Sequence, residues 1–407
     1  MRPTSALVTV VGGVYRERMM WPAKDEVFGS AGRAACALAQ LGTTAQLISY
    51  ADEEFSSLVQ ALADQYRFEW APEQAETSIT FRYVHGLATP VFARPKRPLA
   101  SLRVQAERAI RYGMIESEAI TTATWTVYDP QNTYSPEAFP MNGSTAEHLA
   151  VVCNEREAEI MTEERGNSAS LAKAVAAING AEVVVLKRGP KGALVWDGVS
   201  MTEVPAFETS HVAKVGSGDY FVAHFAHRWM VEGLAPGLAA EHASRATARY
   251  CEFGAFPTLD DLSTYLPPPL KVGPRWLEGY RPTVYLAGPF FNLAQLWMVE
   301  QARLALWDMG LRVFSPYHQV GPGDAQRVVP LDLEAIRDCD LLFAIVDGLD
   351  AGTVYEIGHA RALGKPVVVY CEQESAESTK MMEGSDCFVV RDFVSAIYKA
   401  SWVAISE

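Results

Sequence analysis

Two α/β domains in series are the expectation from this chain, and three observations carry it. Short runs rich in valine, isoleucine and leucine alternate with apolar residues at helical spacing over most of the 407 residues, the sequence form of βαβ units. The apolar share of 49% against 21% charged is that of a globular protein, and the length exceeds one ordinary core. A proline-rich stretch at 266–282 divides the pattern, leaving 1–265 before it and 283–407 after it, and its prolines make it a semi-rigid tether.

In the first part, residues 6–14 read as a buried strand closed by a glycine pair. Gly29-Ser-Ala-Gly32 precedes a helix over Ala34 to Leu41, stopped by Gly42, and Thr44 to Ser49 reads as the next strand. Glu76 to Val84 alternates and predicts a half-exposed strand of a small sheet, followed by a loop, Pro90 to Pro98, rich in proline and basic residues. From Thr124 the alternation resumes with strands at Trp125–Tyr128 and Leu149–Cys153, the second leading into Asn154-Glu-Arg-Glu157. A helix over Ala169 to Ile178, a strand at Val183–Lys187 and a turn at 188–192 follow, and Ala193–Trp196 pairs back from that turn. In Lys214-Val-Gly216-Ser-Gly218-Asp219 a glycine-flanked turn opens an apolar helix. Its exposed N–H groups suit a phosphate, and its aspartate is placed to take a proton from an attacking hydroxyl. The plainer reading is an ordinary helix start with an acid favoured by the dipole.

In the second part, Thr283–Ala287 is a short strand ending at Gly288-Pro289. Leu296, Val299, Ala302, Leu304 and Leu306 fit a helix that packs back on the sheet, and Leu311 to Ser315 reads as the second strand. Acidic residues then fall where strands end: Asp332 to Asp340 precedes the strand Leu341–Val346, and Asp347, Asp350 and Glu356 follow it before the strand Pro366–Tyr370. Ligands of open parallel sheets bind outside the carboxyl ends of strands, so Asp347 and Asp350 are placed for chemistry. Glu356 follows Thr353 by one helical turn and points at the same crevice, where N–H groups near Thr353 would receive a ligand oxygen. Taken singly, each has a plainer role as turn former or solvated helix residue.

Jointly these residues resemble a family. Tyr285-Leu-Ala-Gly-Pro289, the Asp332-x3-Ile336-x3-Asp340 spacing and Gly352-Thr-x-x-Glu356-x-Gly358 are similar to the nucleoside 2-deoxyribosyltransferases and their relatives that hydrolyse nucleotide N-glycosidic bonds, over roughly 283–390. The resemblance implies a flavodoxin-like parallel sheet flanked by helices. It also implies Glu356 as the nucleophile on the anomeric carbon, and Tyr285, Gly288, Asp332, Asp350 and Thr353 as substrate-binding positions. The chemistry explains the residue types: one carboxylate traps an oxocarbenium-like centre and a second acid protonates the leaving base.

The order of pieces over roughly 6–265 resembles the ribokinase (PfkB) family of carbohydrate and nucleoside kinases. That resemblance implies a ribokinase-like α/β sandwich with a small β lid. It makes Asn154 and Glu157 a magnesium- and phosphate-organising pair, Gly216 and Gly218 an anion hole, Asp219 the catalytic base, and Ala248 to Pro257 an adenine-side segment. Four departures bear on it: the family usually has an aspartate where Ala213 stands, a threonine near Lys187 or Arg188, an asparagine near Arg33 and a substrate-binding aspartate near Glu17. ATP and Mg2+ are the cofactors implied here, with none needed in the second part.

Composition narrows the partners. A net charge of −14 weighs against a nucleic-acid backbone or an anionic membrane. No apolar run approaches the roughly 20 residues that cross a bilayer. Met1 to Val10 enters a strand-like segment without a signal-peptide pattern, so a cytoplasmic protein is expected. The six cysteines, without a CxxC pair, argue against a disulfide framework or a zinc site. A homo-oligomer acting on a nucleoside or nucleotide is expected, with cleavage or transfer of the N-glycosidic bond as the reaction. The alternatives are a sugar or nucleoside kinase with a nucleotide-sensing second domain, and NAD as the molecule cleaved. In the loop Gly288-Pro-Phe-Phe-Asn292 a proline without N–H and two aromatics make a poor phosphate cradle, so unphosphorylated nucleosides are expected to react at least as well as 5′-monophosphates.

Overall fold

The computed structural model describes residues 6–132 and 135–406, so residues 1–5 of the expected opening segment lie outside the described residues. The chain divides into two units, Met1–Thr209 with Ala213–Pro268, and Ser210–Val212 with Pro269–Glu407.

The first unit runs β1 (Leu7–Val11), β2 (Arg16–Met19), β3 (Lys24–Val27), α1 (Gly29–Gln40), β4 (Thr44–Ala51), α2 (Glu53–Tyr66), β5 (Glu69–Gln74), β6 (Thr80–Tyr83), β7 (Leu102–Tyr112) and β8 (Ala119–Asp129). It continues through β9 (Thr145–Asn154), α3 (Glu155–Thr162), α4 (Ser168–Asn179), β10 (Val183–Lys187), β11 (Ala193–Trp196), β12 (Met201–Val204), α5 (Ser217–Ala226), α6 (Pro236–Phe253) and α7 (Leu259–Thr264). Nine strands form one sheet in the order β12-β11-β10-β9-β8-β7-β1-β4-β5. From β5 to β10 the neighbours are parallel, and β11 and β12 turn back antiparallel. Val10 pairs with Leu47 on one side and Ile110 on the other, and all three are fully buried. Burying each such side chain contributes about 1.5–3 kcal/mol, which is why the inner strands read as near-continuous apolar runs.

A separate sheet, β3-β2-β6, carries Glu17 on its middle strand. The alternating stretch that predicted a strand over 76–84 forms one only at Thr80–Tyr83. Strand β7 is absent from the sequence reading: its first half, Leu102 to Arg108, alternates apolar with polar or charged residues, so it lacks the apolar run of its neighbours.

In the second unit, α8 (Pro274–Leu277) lies inside the expected tether, and the Gly273 N–H donates to the Ile405 carbonyl at 2.8 Å. Proline at its first position presets the helical φ there. Then come β13 (Thr283–Ala287), α9 (Leu293–Asp308), β14 (Arg312–Phe314), α10 (Pro316–Gln319), α11 (Ala325–Asp338), β15 (Leu341–Ile345), α12 (Ala351–Ala362), β16 (Val367–Tyr370), α13 (Ala376–Glu383), β17 (Phe388–Val390) and α14 (Phe393–Ser406). The five strands are all parallel in the order β14-β13-β15-β16-β17. That is the flavodoxin-like order, whose switch point lies between β13 and β15. In α9, Val299, Ala302 and Leu306 are buried as expected, but Leu304 is 45% exposed. Five residues beyond Val299, it has rotated to the opposite helix face.

Candidate active site

The switch point of the second unit gathers the acidic residues. Tyr285 is buried within β13, its ring stacked on Phe314 of β14 with centroids 5.5 Å apart. Its hydroxyl donates to Glu356 Oε1 at 2.6 Å, so the strand on one side of the switch point grips the carboxylate that α12 delivers after β15. Burial pushes the Glu356 carboxyl up to about 7; the Tyr285 hydrogen bond pulls it down, and the charges of Asp332 and Asp350 push it up. Burial first, and then the Glu356 charge, hold the Tyr285 hydroxyl far above the ordinary tyrosine range, so it stays a donor.

Asp332, on α11, is half-buried, and burial raises its carboxyl. Its Oδ1 is shielded from solvent and has no hydrogen-bond partner among the described residues. A buried acceptor without a donor is costly, and a ligand hydroxyl or amine would satisfy it. Asp350 caps α12: its Oδ2 accepts from the Thr353 N–H at 2.8 Å and the Thr353 hydroxyl at 2.9 Å. Thr353 is itself buried and has given both donors to Asp350, so it sets the carboxylate in place rather than offering an N–H outward. At Gly288 a Cβ would stand 3.2 Å from Ile345 Cβ, so glycine lets the loop after β13 run against β15. Asp347 is engaged elsewhere. Its carboxylate accepts from the Glu372 and Gln373 N–H groups at 2.8–3.1 Å, which ties the end of β15 to the turn after β16. Beyond the carboxyl ends of β13 and β14, Phe290 packs on Phe291 and Tyr317 with centroids 5.4 and 5.5 Å apart.

In the first unit the residues expected to act on phosphate lie around the start of α5. Gly216 caps it with φ +79°, and Asp219 stands on its first turn. Lys187 pairs with the fully buried Asp129 at 2.6 Å, and its Nζ would lie 3.7 Å from a Cβ on Gly218. Burial works against the Lys187 ammonium, but Asp129 and Glu157 outweigh it and hold its pKa above the ordinary value. Lys214 donates to Ser217 Oγ at 3.2 Å, so two ammonium groups flank this helix start. Asn154 and Glu157 form a reciprocal cap on α3, each backbone N–H donating to the other's side chain at 2.9 Å.

Asp219 is not free. Its Oδ2 accepts from Arg33 Nη1 at 2.9 Å and its Oδ1 from the Gln131 amide. Arg33, 1% exposed, also pairs with both oxygens of Glu17 and donates to the Tyr250 hydroxyl at 3.2 Å. The donors beside α5 suit a phosphate, whereas the acceptor side offers no unengaged base. Among the described residues no group of three or more His, Cys, Asp or Glu is arranged to hold a metal ion.

Comparison with known proteins agrees with this division. Residues 284–389 match the nucleoside 2-deoxyribosyltransferase family and residues 146–246 the pfkB family of carbohydrate kinases. The chain joins a pfkB-type domain to a nucleoside 2-deoxyribosyltransferase domain. A 2-dehydro-3-deoxygalactonokinase of Haloferax volcanii is 36% identical over 100 residues, 24% of this chain, and the match spans about a third (31%) of that relative's length. Among solved structures, Arabidopsis thaliana ribokinase complexed with ribose and ATP aligns over 64% of this chain and 99% of its own, at 13% identity and a TM-score of 0.49. Escherichia coli phosphofructokinase-2 in complex with potassium aligns over 64% and 98%, at 14% identity and a TM-score of 0.47.

Of the positions expected in the transferase domain, Tyr285, Asp332, Asp350 and Glu356 share one electrostatic neighbourhood at the β13–β15 switch point. Phe314 and Tyr317 were missed; the available signal was their place just before and after the end of the second strand. In the pfkB-type domain Gln131 was missed because its partner Asp219 is 88 residues away in sequence.

Proposed function

We propose that the transferase domain transfers the sugar of a nucleoside between bases, with Glu356 as nucleophile. The observation that carries this is the Tyr285 hydroxyl held 2.6 Å from a carboxylate whose pKa is raised to about 7, beside the unsatisfied Asp332 oxygen. A Glu356 oxygen attacks the anomeric carbon as the bond to the base nitrogen breaks and that nitrogen takes up a proton; the acceptor base then gives up its N–H proton and displaces Glu356 with net retention. Three carboxylates around that carbon favour the positive charge that develops on the sugar. Tyr285 fixes the attacking oxygen, Asp350 is set by Thr353, and Asp332 accepts a hydrogen bond from the sugar or base. The Phe290, Phe291 and Tyr317 rings offer apolar faces for a base.

In the pfkB-type domain, Lys187, Lys214 and the N–H groups at the start of α5 would hold the phosphates of ATP. Mg2+ would enter on those phosphates rather than in a protein cage. The test is a chromatographic screen of nucleosides, 5′-nucleotides and NAD, with and without an acceptor base. Exchange of base that needs the acceptor supports the reading. Base release independent of acceptor makes the domain a hydrolase, and no release from any of these compounds removes the proposal.

A further inference from the structure

Arg33, 1% exposed, is buried near the start of α5, and it joins four parts of the first unit. From α1 its guanidinium reaches Glu17 on β2, Asp219 on α5, the Tyr250 hydroxyl on α6 and the Gly29 carbonyl. Its Cζ also lies 5.2 Å from the centroid of the Phe28 ring. At Gly216 an added Cβ would fall 2.1–2.6 Å from its Nε, Cζ and Cδ, so the space in front of the helix cap is filled by the guanidinium stem.

The consequence for chemistry follows from access to the Asp219 carboxylate. A base that takes a proton from an acceptor hydroxyl needs an oxygen within reach of it. Asp219 has one oxygen on Arg33 and the other on Gln131, and a guanidinium does not give up its proton. With Asp219 only 8% exposed and Arg33 and the Gln131 amide seated on its two oxygens, little of the carboxylate is left open to a hydroxyl. Glu17 adds a mechanical consequence. Its two oxygens take the guanidinium fork, so moving the β3-β2-β6 sheet away from α1 and α5 would break a buried ion pair.

We propose that Arg33 is a built-in lock of the first unit: it occupies the acceptor position at Asp219, pins the small sheet shut, and leaves the unit unable to transfer a phosphoryl group to a hydroxyl. The lock is independent of the chemistry assigned to Glu356.

The test uses the full-length protein and has two arms. With ATP and Mg2+, the wild type is assayed for ADP formation with and without D-ribose, D-fructose, 2-keto-3-deoxy sugar acids and nucleosides. The expected rate is the same with and without acceptor, and acceptor-dependent ADP formation overturns the proposal. In the second arm, hydrogen exchange is followed in peptides covering 16–27 and 80–83 for the wild type, Arg33→Lys and the double variant Arg33→Gln/Glu17→Gln. Arg33→Lys keeps the charge but loses the fork, and the double variant removes both charges together. Exchange in these strands is expected to rise about tenfold or more in the double variant and by less in Arg33→Lys. Unchanged exchange in both variants overturns the lock. If the double variant does not fold, Arg33→Lys carries this arm, and unchanged exchange there has the same force.

Discussion

Replacing Tyr285 by phenylalanine removes one hydrogen bond and little else, because the ring that stacks on Phe314 is kept. The lost donor sits 2.6 Å from Glu356 and favours its ionised form, so the variant should protonate Glu356 more readily. A hydrogen bond to a charged group contributes about 1.5–3 kcal/mol net. At 1.36 kcal/mol per unit, its loss should move the Glu356 pKa up by about 1–2 units. The nucleophile acts only as the carboxylate, and its pKa of about 7 sets the acid limb of kcat/KM in the wild type. In Tyr285→Phe the limb should move to about pH 8–9, and the rate at pH 7 should fall about 5- to 50-fold. The assay is base exchange measured from pH 5 to 10 in both proteins. A limb that stays near 7 while the plateau falls would mean that Tyr285 only orients the carboxylate, and a limb that moves down would refute the electrostatic argument outright.

Glu356→Gln should lower base exchange by about a thousandfold or more, since an amide of the same shape is no anionic nucleophile; wild-type turnover would displace the site. The same substitution should stabilise the second unit at neutral pH. A carboxyl raised from 4.5 to about 7 contributes stability that is fully present below pH 4.5 and lost as pH rises through 7, so the gain above pH 7 is about 3 kcal/mol at most, read from thermal melts at pH 5 and pH 8. Gly216→Ala should destabilise the first unit by about 1–3 kcal/mol in denaturant melts, because the residue has φ +79° and the added Cβ meets Arg33 at 2.1 Å. Nucleosides should react at least as well as their 5′-monophosphates; a kcat/KM favouring the monophosphate by ~100-fold, about 2.7 kcal/mol, would reveal a phosphate site beyond the loop at 288–292.

Much of this protein follows from local pattern. The parallel strands β1, β10, β13, β15 and β16 are legible because a strand buried on both faces reads as a near-continuous apolar run. Asp350 and Glu356 are legible for a related reason: in a parallel sheet, residues just beyond a strand end gather at one edge, whereas Tyr285, inside β13, and Asp332, on α11, were singled out by the family resemblance. Strand β7 escaped because its alternating half at 102–108 carries no continuous apolar run.

Other features were decided only by tertiary structure. Sequence placed Asp347 and Asp350 alike after β15, yet Asp347 fastens a neighbouring turn while Asp350 caps the helix bearing Glu356; which donors meet each carboxylate depends on a loop 25 residues away. The rise of the Glu356 pKa comes from burial and from charges on other elements, and no local motif records either. Glycine at 216 and aspartate at 219 fit an anion-binding helix start and an ordinary one alike. Arg33, 186 residues from Asp219 in sequence, turns that aspartate into half of an ion pair, because only the folded chain brings a buried cation to a carboxylate that has lost its water.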